Sequence, residues 1–444
     1  MAVDRLRARR HIALAAMVGL ALRLAFGLVY WVDKPLTHDE REYLALAGGL
    51  AEGRGFVYTE PPAGTTAQFG RAPGYPAFLA AIGAGSRTPT AAPVRVKVIQ
   101  GILGAFGVWL IALAARDAAG LRAGIAAAWI SAVYPPLVWI PAYVFSETLY
   151  SLLALGTALT LQAAVERWAS GSRGGHSTGR GPALALIAGA LCGTAILVRP
   201  AMLFFLPLAT IWLLRRRLPR AAVALVVGAT LVVTPWTVRN YRTYGRFVLV
   251  ASEGGVTFWT GNHPLARGEG DLAANPELKL AELAFRRAHP GLTAEELEPL
   301  YYRDAIEHIM ADPLWWLGLL ARKVFFTVVP SGPSYRLHSF RYRAASVISY
   351  GLLLPFAVAG AFVLWRRGRR PTALLLLAAA SVLVCIVFFP QERFRIPVID
   401  PVLIVCAAAL FRGFRPPPSR EANRRTVVAS ATAGQAEDLR IPLT

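Results

Sequence analysis

Charge is scarce in this sequence. Asp, Glu, Lys and Arg make up 16% of its 444 residues, where a soluble chain carries about 25%. Cysteine is scarcer, and the three present (Cys192, Cys385, Cys406) all fall in apolar stretches without zinc spacing. A disulfide framework and a zinc module are thereby excluded, and the cysteines read as small buried hydrophobes. The seven histidines include no H-E-x-x-H pair, and neither usual glycine-rich nucleotide loop occurs. A donor that the membrane itself carries is therefore favoured over an activated nucleotide. No internal repeat of fixed period is visible, which counts against a transporter built of two matching halves. Acids are outnumbered, 26 against 47 Lys and Arg, for a net charge of +21. The basic residues form no stripe on a soluble module, so nucleic acid is not the implied partner.

What is abundant is apolar surface: 55% of the chain is hydrophobic and the mean hydropathy is +0.46. It lies in blocks near 11–32, 93–115, 122–140, 144–165, 183–198, 201–214, 220–237, 312–330, 344–365, 371–389 and 396–411. Several approach the roughly 20 residues that a bilayer-spanning helix needs. An all-α polytopic membrane protein with about 10–11 transmembrane helices follows. Arginines cluster in short gaps (Arg5 to Arg10, Arg215 to Arg220, Arg366 to Arg370) and after the last block (Arg412 to Arg425). Such gaps stay cytoplasmic. The segment 312–330 carries Arg322 and Lys323 in its middle and Trp315 and Trp316 on its flank, which suits an interface better than hydrocarbon. Setting it aside leaves ten spans with both termini in the cytoplasm, in the cell (plasma or inner) membrane. The first block lacks a following small-residue cleavage site and reads as an uncleaved span. Segments 183–198 and 201–214 meet at Arg199-Pro200, which predicts a tight helical hairpin.

This topology divides the chain into an N-terminal transmembrane module (1–237) with a long first outer loop (33–92), an outer loop or cap (238–311), C-terminal transmembrane helices (312–412) and a cytoplasmic tail (413–444). The tail is rich in Pro, Arg, Ala and Thr without periodicity, so disorder is expected there. Within the cap, 277–288 and 294–310 have helical spacing, the second opening on a Thr293-x-x-Glu296 capping box.

The stretch most informative about chemistry is Thr37-His38-Asp39-Glu40-Arg41-Glu42-Tyr43, just after the first span. Thr37 and Glu40 have capping-box spacing, so a helix should start here and bury Tyr43, Ala47 and Leu50. Asp39 then lies in the first turn at the outer membrane boundary, either complementing the helix dipole or serving as a general base. Next, Gly70-Arg71-Ala72-Pro73-Gly74-Tyr75-Pro76 makes a rigid turn presenting Arg71, an interfacial anchor or a phosphate clamp. Pro390-Gln391-Glu392-Arg393-Phe394-Arg395-Ile396-Pro397 puts two arginines in a short outer loop, against the usual charge bias. The flanking prolines disfavour helix, so Arg393 and Arg395 should project from extended chain to the same side, where a specific phosphate site is preferred over lipid headgroups. Glu147 is a costly carboxylate at a span's end, with Arg199 as its partner if both reach one face. The run from Arg239-Asn240-Tyr241 through Gly254-Gly255 to Gly261-Asn262-His263 mixes glycines, aromatics and amides that suit a sugar pocket or an interfacial belt.

Taken together, these pieces resemble the polytopic GT-C glycosyltransferases, in the branch of protein O-mannosyltransferases and lipid A aminoarabinose transferases. The pieces are Asp39-Glu40 with Tyr43, the turn after Arg71, Ser146-Glu147, Leu197-Val198-Arg199-Pro200, Arg239-Asn240-Tyr241 to Gly261-Asn262, and Arg393-Phe394-Arg395-Ile396-Pro397. Their order spans roughly residues 12–411. The resemblance implies transfer of a sugar from a polyprenyl-phosphate carrier to an acceptor glycan, lipid or protein outside the cytoplasm. It implies Asp39 at the catalytic centre and Arg71, Arg393 and Arg395 on the donor phosphate. Glu40, Tyr43, Tyr75, Glu147, Arg239, Asn240, Asn262 and His263 would support or bind substrate. The turn has Ala72-Pro73 where a double proline is commoner. No cofactor is implied; the family includes metal-dependent members, which leaves a divalent cation open. The alternatives are a flippase or transporter of lipid-linked sugars and a non-catalytic membrane scaffold.

Overall fold

The computed structural model describes residues 2–57, 70–86, 90–171, 180–270, 272, 274–330, 332, 339–368 and 371–411. The expected cytoplasmic tail, 413–444, lies outside them. Among the described residues the chain is helical, with one isolated bridge (Pro35–Ala91) and no strand. The first half runs α1 (Ala2–Ala25), α2 (His38–Ala51), α3 (Gly74–Ala81), α4 (Val94–Ala119), α5 (Leu121–Val133), α6 (Pro135–Trp139), α7 (Glu147–Gly171), α8 (Arg180–Val198) and α9 (Phe205–Arg215). The second half runs α10 (Pro219–Tyr244), α11 (Gly254–Asn262), α12 (Pro276–Ala288), α13 (Ala294–Ala311), α14 (Pro313–Val328), α15 (Phe340–Arg366), α16 (Thr372–Val387), α17 (Glu392–Arg395) and α18 (Ile399–Ala408).

Six of these helices are long and apolar enough to cross a membrane: α1, α4, α7, α8, α10 and α15. A seventh crossing is α5 with the segment Pro135–Ala142, bent by 63°, and three shorter apolar helices cover Pro200–Arg215, Thr372–Val387 and Ile399–Phe411. All ten expected segments are thus helical, although only six reach full length. Large apolar side chains such as Met17, Phe106, Val223, Leu231, Leu352 and Phe356 face outward. Helices apolar on both faces belong in lipid; the chain is a multi-pass membrane protein.

Small residues set the tightest packing. α8 lies along α10, where a Cβ on Gly189 or Gly228 would run into the facing backbone. Close approach through small residues is how helices associate without a hydrophobic drive. α9 packs on α10 and α16 rather than along α8. The tight hairpin expected at Arg199-Pro200 is therefore not formed, because the turn Pro200–Phe204 redirects the chain onto other partners.

Buried cations answer the prolines. A helix carbonyl at position i normally meets the N–H at i+4, but for Ser131 and Ala132 those positions are Pro135 and Pro136, which have none. Arg23 of α1 donates instead, Nη2 to the Ser131 carbonyl at 3.3 Å and Nη1 to the Ala132 carbonyl at 3.4 Å. At the end of α16, Pro390 orphans the Ile386 carbonyl in the same way. There Lys323 Nζ of α14 donates at 3.1 Å, while Asn262 Nδ2 meets the Val387 carbonyl at 3.0 Å. α14 is not among the helices long and apolar enough to cross a membrane, but its Lys323 is fully buried rather than at an interface. Its charge serves a helix end.

In the cap, α11, α12 and α13 close around Trp259, Leu278, Leu297, Tyr301 and Ala305. α13 starts on the expected capping box, with Thr293 N–H donating to Glu296 at 2.9 Å.

Arg23→Met should lower the melting temperature in detergent by several degrees, since orphaned buried carbonyls cost about 1–3 kcal/mol. An unchanged melting temperature would show that the two carbonyls find other donors.

Candidate active site

The site grows from the start of α2. Thr37 caps the helix: its hydroxyl accepts from the Glu40 N–H, and Glu40 Oε2 accepts from the Thr37 N–H at 2.8 Å. Positions 39, 42 and 43 then share one helical face. Asp39 and Tyr43 line a cavity of about 770 Å³, a volume typical of ligand sites. Glu42 is buried next to them. Glu40 points the other way, its Oε1 accepting the Val144 N–H at 2.9 Å, so it braces the chain ahead of α7.

The Pro-containing turn delivers Arg71 into the middle of this face. Its Nη2 lies 2.6 Å from Asp39 Oδ1 and 2.5 Å from Glu42 Oε2, and its Nε lies 3.2 Å from Glu253 Oε1. The guanidinium also sits over the Tyr43 ring, 5.3 Å from its centroid. Gly70 leaves free the space that the Glu253 carboxyl occupies. From the other end of the chain, Arg393 Nη2 takes the second oxygen of Asp39 at 2.6 Å, its guanidinium lying over Phe145. A second pair, Arg199 Nη1 to Glu147 Oε1 at 2.7 Å, completes the charged floor.

Above the floor, the cap contributes Glu298 and Tyr302 of α13. One wall is apolar, formed by Leu203, Phe204, Val384, Cys385 and Phe388. The site therefore joins a band of paired charges to an oily slot.

The carboxyl groups differ sharply in proton affinity. Burial would raise the Asp39 pKa, but the charges and hydrogen bonds of Arg71 and Arg393 override it and hold the group far below the usual carboxylate range. Burial likewise opposes ionisation of Glu42, which Arg71 and then His38 keep low. Glu253 goes the other way. Burial pushes it up to about 7, the pull of Arg71 being offset by repulsion from Glu42 and Asp39. Its side chain keeps 34% of its surface exposed and lines the cavity.

Of the residues expected from the sequence, the structure gathers Asp39, Tyr43, Arg71, Glu147 and Arg393 around one cavity, with Arg199 as the partner of Glu147. The others are placed elsewhere. Tyr75 is buried behind Tyr43 with its hydroxyl donating to Gln100 at 3.0 Å. Arg239 lies over Trp236 and Tyr244. Asn240 donates to the Val248 carbonyl at 3.0 Å, fixing a stretch that lines the cavity without lining it itself. Asn262 belongs to the Lys323 clasp, and His263 packs on Trp259, where burial and then His308 lower its pKa to about 4. None of Arg239, Asn240, Asn262 and His263 lines the cavity.

Arg395 is the sharpest correction. Residues Glu392–Arg395 form a helical turn, not extended chain, so Arg393 and Arg395 point apart. Arg395 is buried over the Tyr350 ring, 3.5 Å from Asp400, outside the cavity lining. Sequence reasoning in turn passed over Glu42, Glu253, Glu298 and Tyr302. Glu42 was legible from its i+3 spacing to Asp39; the other three are brought in by the folding of the cap.

Among the described residues, no group of three or more His, Cys, Asp and Glu side chains is set to hold a metal ion. The three carboxyls nearest one another converge on the Arg71 guanidinium.

No protein-family model and no curated protein matches the chain. Solved structures do. The oligosaccharyltransferase of Archaeoglobus fulgidus, tethered to an acceptor peptide containing an NVT sequon, is 17% identical with a TM-score of 0.57, over 91% of this chain and 49% of that one. The archaeal oligosaccharyltransferase AglB of the same organism, in complex with an inhibitory peptide and a dolichol-phosphate, is 17% identical with a TM-score of 0.56, over 99% and 53%. A complex of the A. fulgidus enzyme with Zn and sulfate is 18% identical with a TM-score of 0.54, over 90% and 48%. The shared architecture is the GT-C fold. This chain spans about half the length of the structures that it matches.

Arg71→Gln should cost about 2–3 kcal/mol, because it leaves three clustered carboxyls without their shared cation. Asp39 keeps Arg393 and Glu42 keeps His38, but Glu253 loses the cation that opposes its burial, so its folded-state pKa rises further above the unfolded one and stability falls as pH increases. The loss in melting temperature should be larger at pH 8 than at pH 5; equal losses would show that Arg71 only fills space.

Proposed function

We propose that this chain transfers a sugar from a polyprenyl-phosphate carrier to an acceptor hydroxyl, with inversion at the anomeric carbon, on the extracytoplasmic side of the cell membrane. One observation carries the reading: a carboxylate held between two guanidinium groups, at a cavity whose adjoining wall is apolar. Arg71 and Arg393 suit a phosphate, which planar guanidinium groups grip with paired hydrogen bonds. Leu203, Phe204, Val384 and Phe388 suit the first isoprene units of the carrier. The GT-C fold, shared with an oligosaccharyltransferase solved with dolichol-phosphate, supports a lipid-borne donor. The order of the matching pieces favours the protein O-mannosyltransferase and aminoarabinose transferase branch, with a hexose or pentose as the sugar.

With the ten expected segments crossing in alternation, the chain after α1 and the ends of α8, α10 and α16 fall on one side, and residues at or just beyond them line the cavity. The arginine clusters before α10 and after α15 fall on the other side, which the positive-inside tendency makes cytoplasmic. The transmembrane module 1–237 then supplies the floor through its outer loop, 238–311 the roof, and 312–412 the last arginine.

The chemistry is a single displacement. The acceptor oxygen attacks the anomeric carbon, Asp39 takes the hydroxyl proton, and the bond from carbon to phosphate oxygen breaks. Clamped by two arginines, Asp39 is a weak base. Docking of the donor phosphate shares those charges and so restores its affinity for a proton. Arg71 and Arg393 meanwhile stabilise the charge that develops on the departing phosphate. Arg199 and Glu147 hold the neighbouring wall.

Mass spectrometry of cell-envelope glycans, with and without this protein, should reveal one missing sugar. Asp39→Asn should lower transfer by more than 100-fold while retaining or tightening the binding of farnesyl phosphate, since Arg393 is released and Arg71 loses one of its three carboxylates. Transfer at the wild-type rate in that variant would remove the base assignment. Arg393→Ala should weaken farnesyl phosphate binding about tenfold or more, as expected for one lost charge-assisted hydrogen bond.

A further inference from the structure

Beside Asp39 and Glu42, the geometry places a third carboxyl, Glu253, at the same arginine. We propose that Glu253 is the general acid of the site: it gives up Arg71 and gains a proton when a phosphate ester docks, and it then stands against the leaving phosphoryl oxygen. This rests on the transfer reaction proposed above and supplies the proton that the reaction leaves unassigned.

Three features converge on the assignment. Glu253 reaches Arg71 through one contact of 3.2 Å, whereas Asp39 is clamped on both oxygens at 2.6 Å. An anion that takes over Arg71 therefore displaces Glu253 more readily than Asp39. Glu253 also occupies the N-cap position of α11, where its side chain makes no cap hydrogen bond, and it lines the cavity together with Glu298 and Tyr302. Finally, it is surrounded by negative charge. α2 presents Asp39 and Glu42, with His38 behind Glu42, and α13 adds Glu298 and Tyr302 around Gly254, with Glu295 on Ser252. Arg71 is the cation facing it. Once a phosphate neutralises Arg71, the carboxyl that protonates is the one whose environment already resists ionisation, and that is Glu253. Two carboxyls with proton affinities driven apart by their surroundings divide acid and base work between them.

The step balances. The acceptor proton passes to Asp39 as the new carbon–oxygen bond forms. The electron pair of the broken bond goes to the phosphate oxygen, which receives the proton of Glu253. A proton returning from Asp39 to Glu253 through the open cavity resets the pair.

The test uses the full-length protein in detergent and a farnesyl phosphodiester, a probe whose single charge does not titrate near neutral pH. Calorimetric titration at pH 7.5 in buffers of different ionisation enthalpy measures protons taken up on binding. The wild type should take up a substantial fraction of one proton, Glu253→Gln should take up none with affinity within about threefold, and Glu253→Asp should recover part of the uptake. Binding without uptake in the wild type, or unchanged uptake in Glu253→Gln, overturns the inference while leaving the transfer reaction standing. Failure of the probe to bind at all overturns the transfer reaction instead. With the sugar donor identified, Glu253→Gln should slow turnover at least 100-fold and remove the fall in rate above pH 7. Retention of that fall would assign the acid to another group.

Discussion

One guanidinium facing three carboxyls sets the terms for this protein. Arg71 cannot satisfy Asp39, Glu42 and Glu253 equally, and it does not: two are held at hydrogen-bond distance and one more loosely. The site is thus closed upon itself electrostatically, with its cations paired to its own acids. An anion entering the cavity must compete with them, which favours groups that grip a planar cation at two points and disfavours halides. The inequality also makes the site sequential, since the loosest partner is the first to let go.

That arrangement was only half visible in the linear chain. The capping box at Thr37 and Glu40 fixes the phase of α2, and from the phase it follows that Asp39, Glu42 and Tyr43 share a face while Glu40 does not. Arg71 could be read from the rigid turn around it, and Arg393 from a basic charge in a loop where the expected topology disfavours one. Glu253 carries no such mark; its role comes from the burial and neighbours it acquires when the cap folds over α2. Arg395 misled for a definite reason. Proline disfavours helix in the residue ahead of it, yet Ile396, directly before Pro397, is itself in the right-handed helical region, and Glu392–Arg395 form one helical turn that rotates successive arginines apart.

The apolar blocks were read reliably as helices and less well as contacts. Hydropathy registers that a segment is oily, not which neighbour it meets, so α9 was assigned to α8 although it leans on α10 and α16. Charges inside such blocks looked like liabilities. Arg23 and Lys323 show the opposite: each donates to carbonyls that a proline had orphaned, so the cation and the proline stand or fall together. Counting the absent N–H at i+4 of each helix proline locates such carbonyls in the sequence, whereas the donors that meet them come from α1 and α14 only in the folded chain.

The floor of the cavity is assembled from chain segments far apart in sequence, meeting from α2, α7, α8 and α17, whereas the roof comes from one contiguous stretch between Arg246 and Tyr302. These two halves can therefore drift at different rates. A lineage could reshape that roof by rewriting a single short passage of its gene, provided that it kept Glu253 against Arg71, while the paired charges beneath stay untouched.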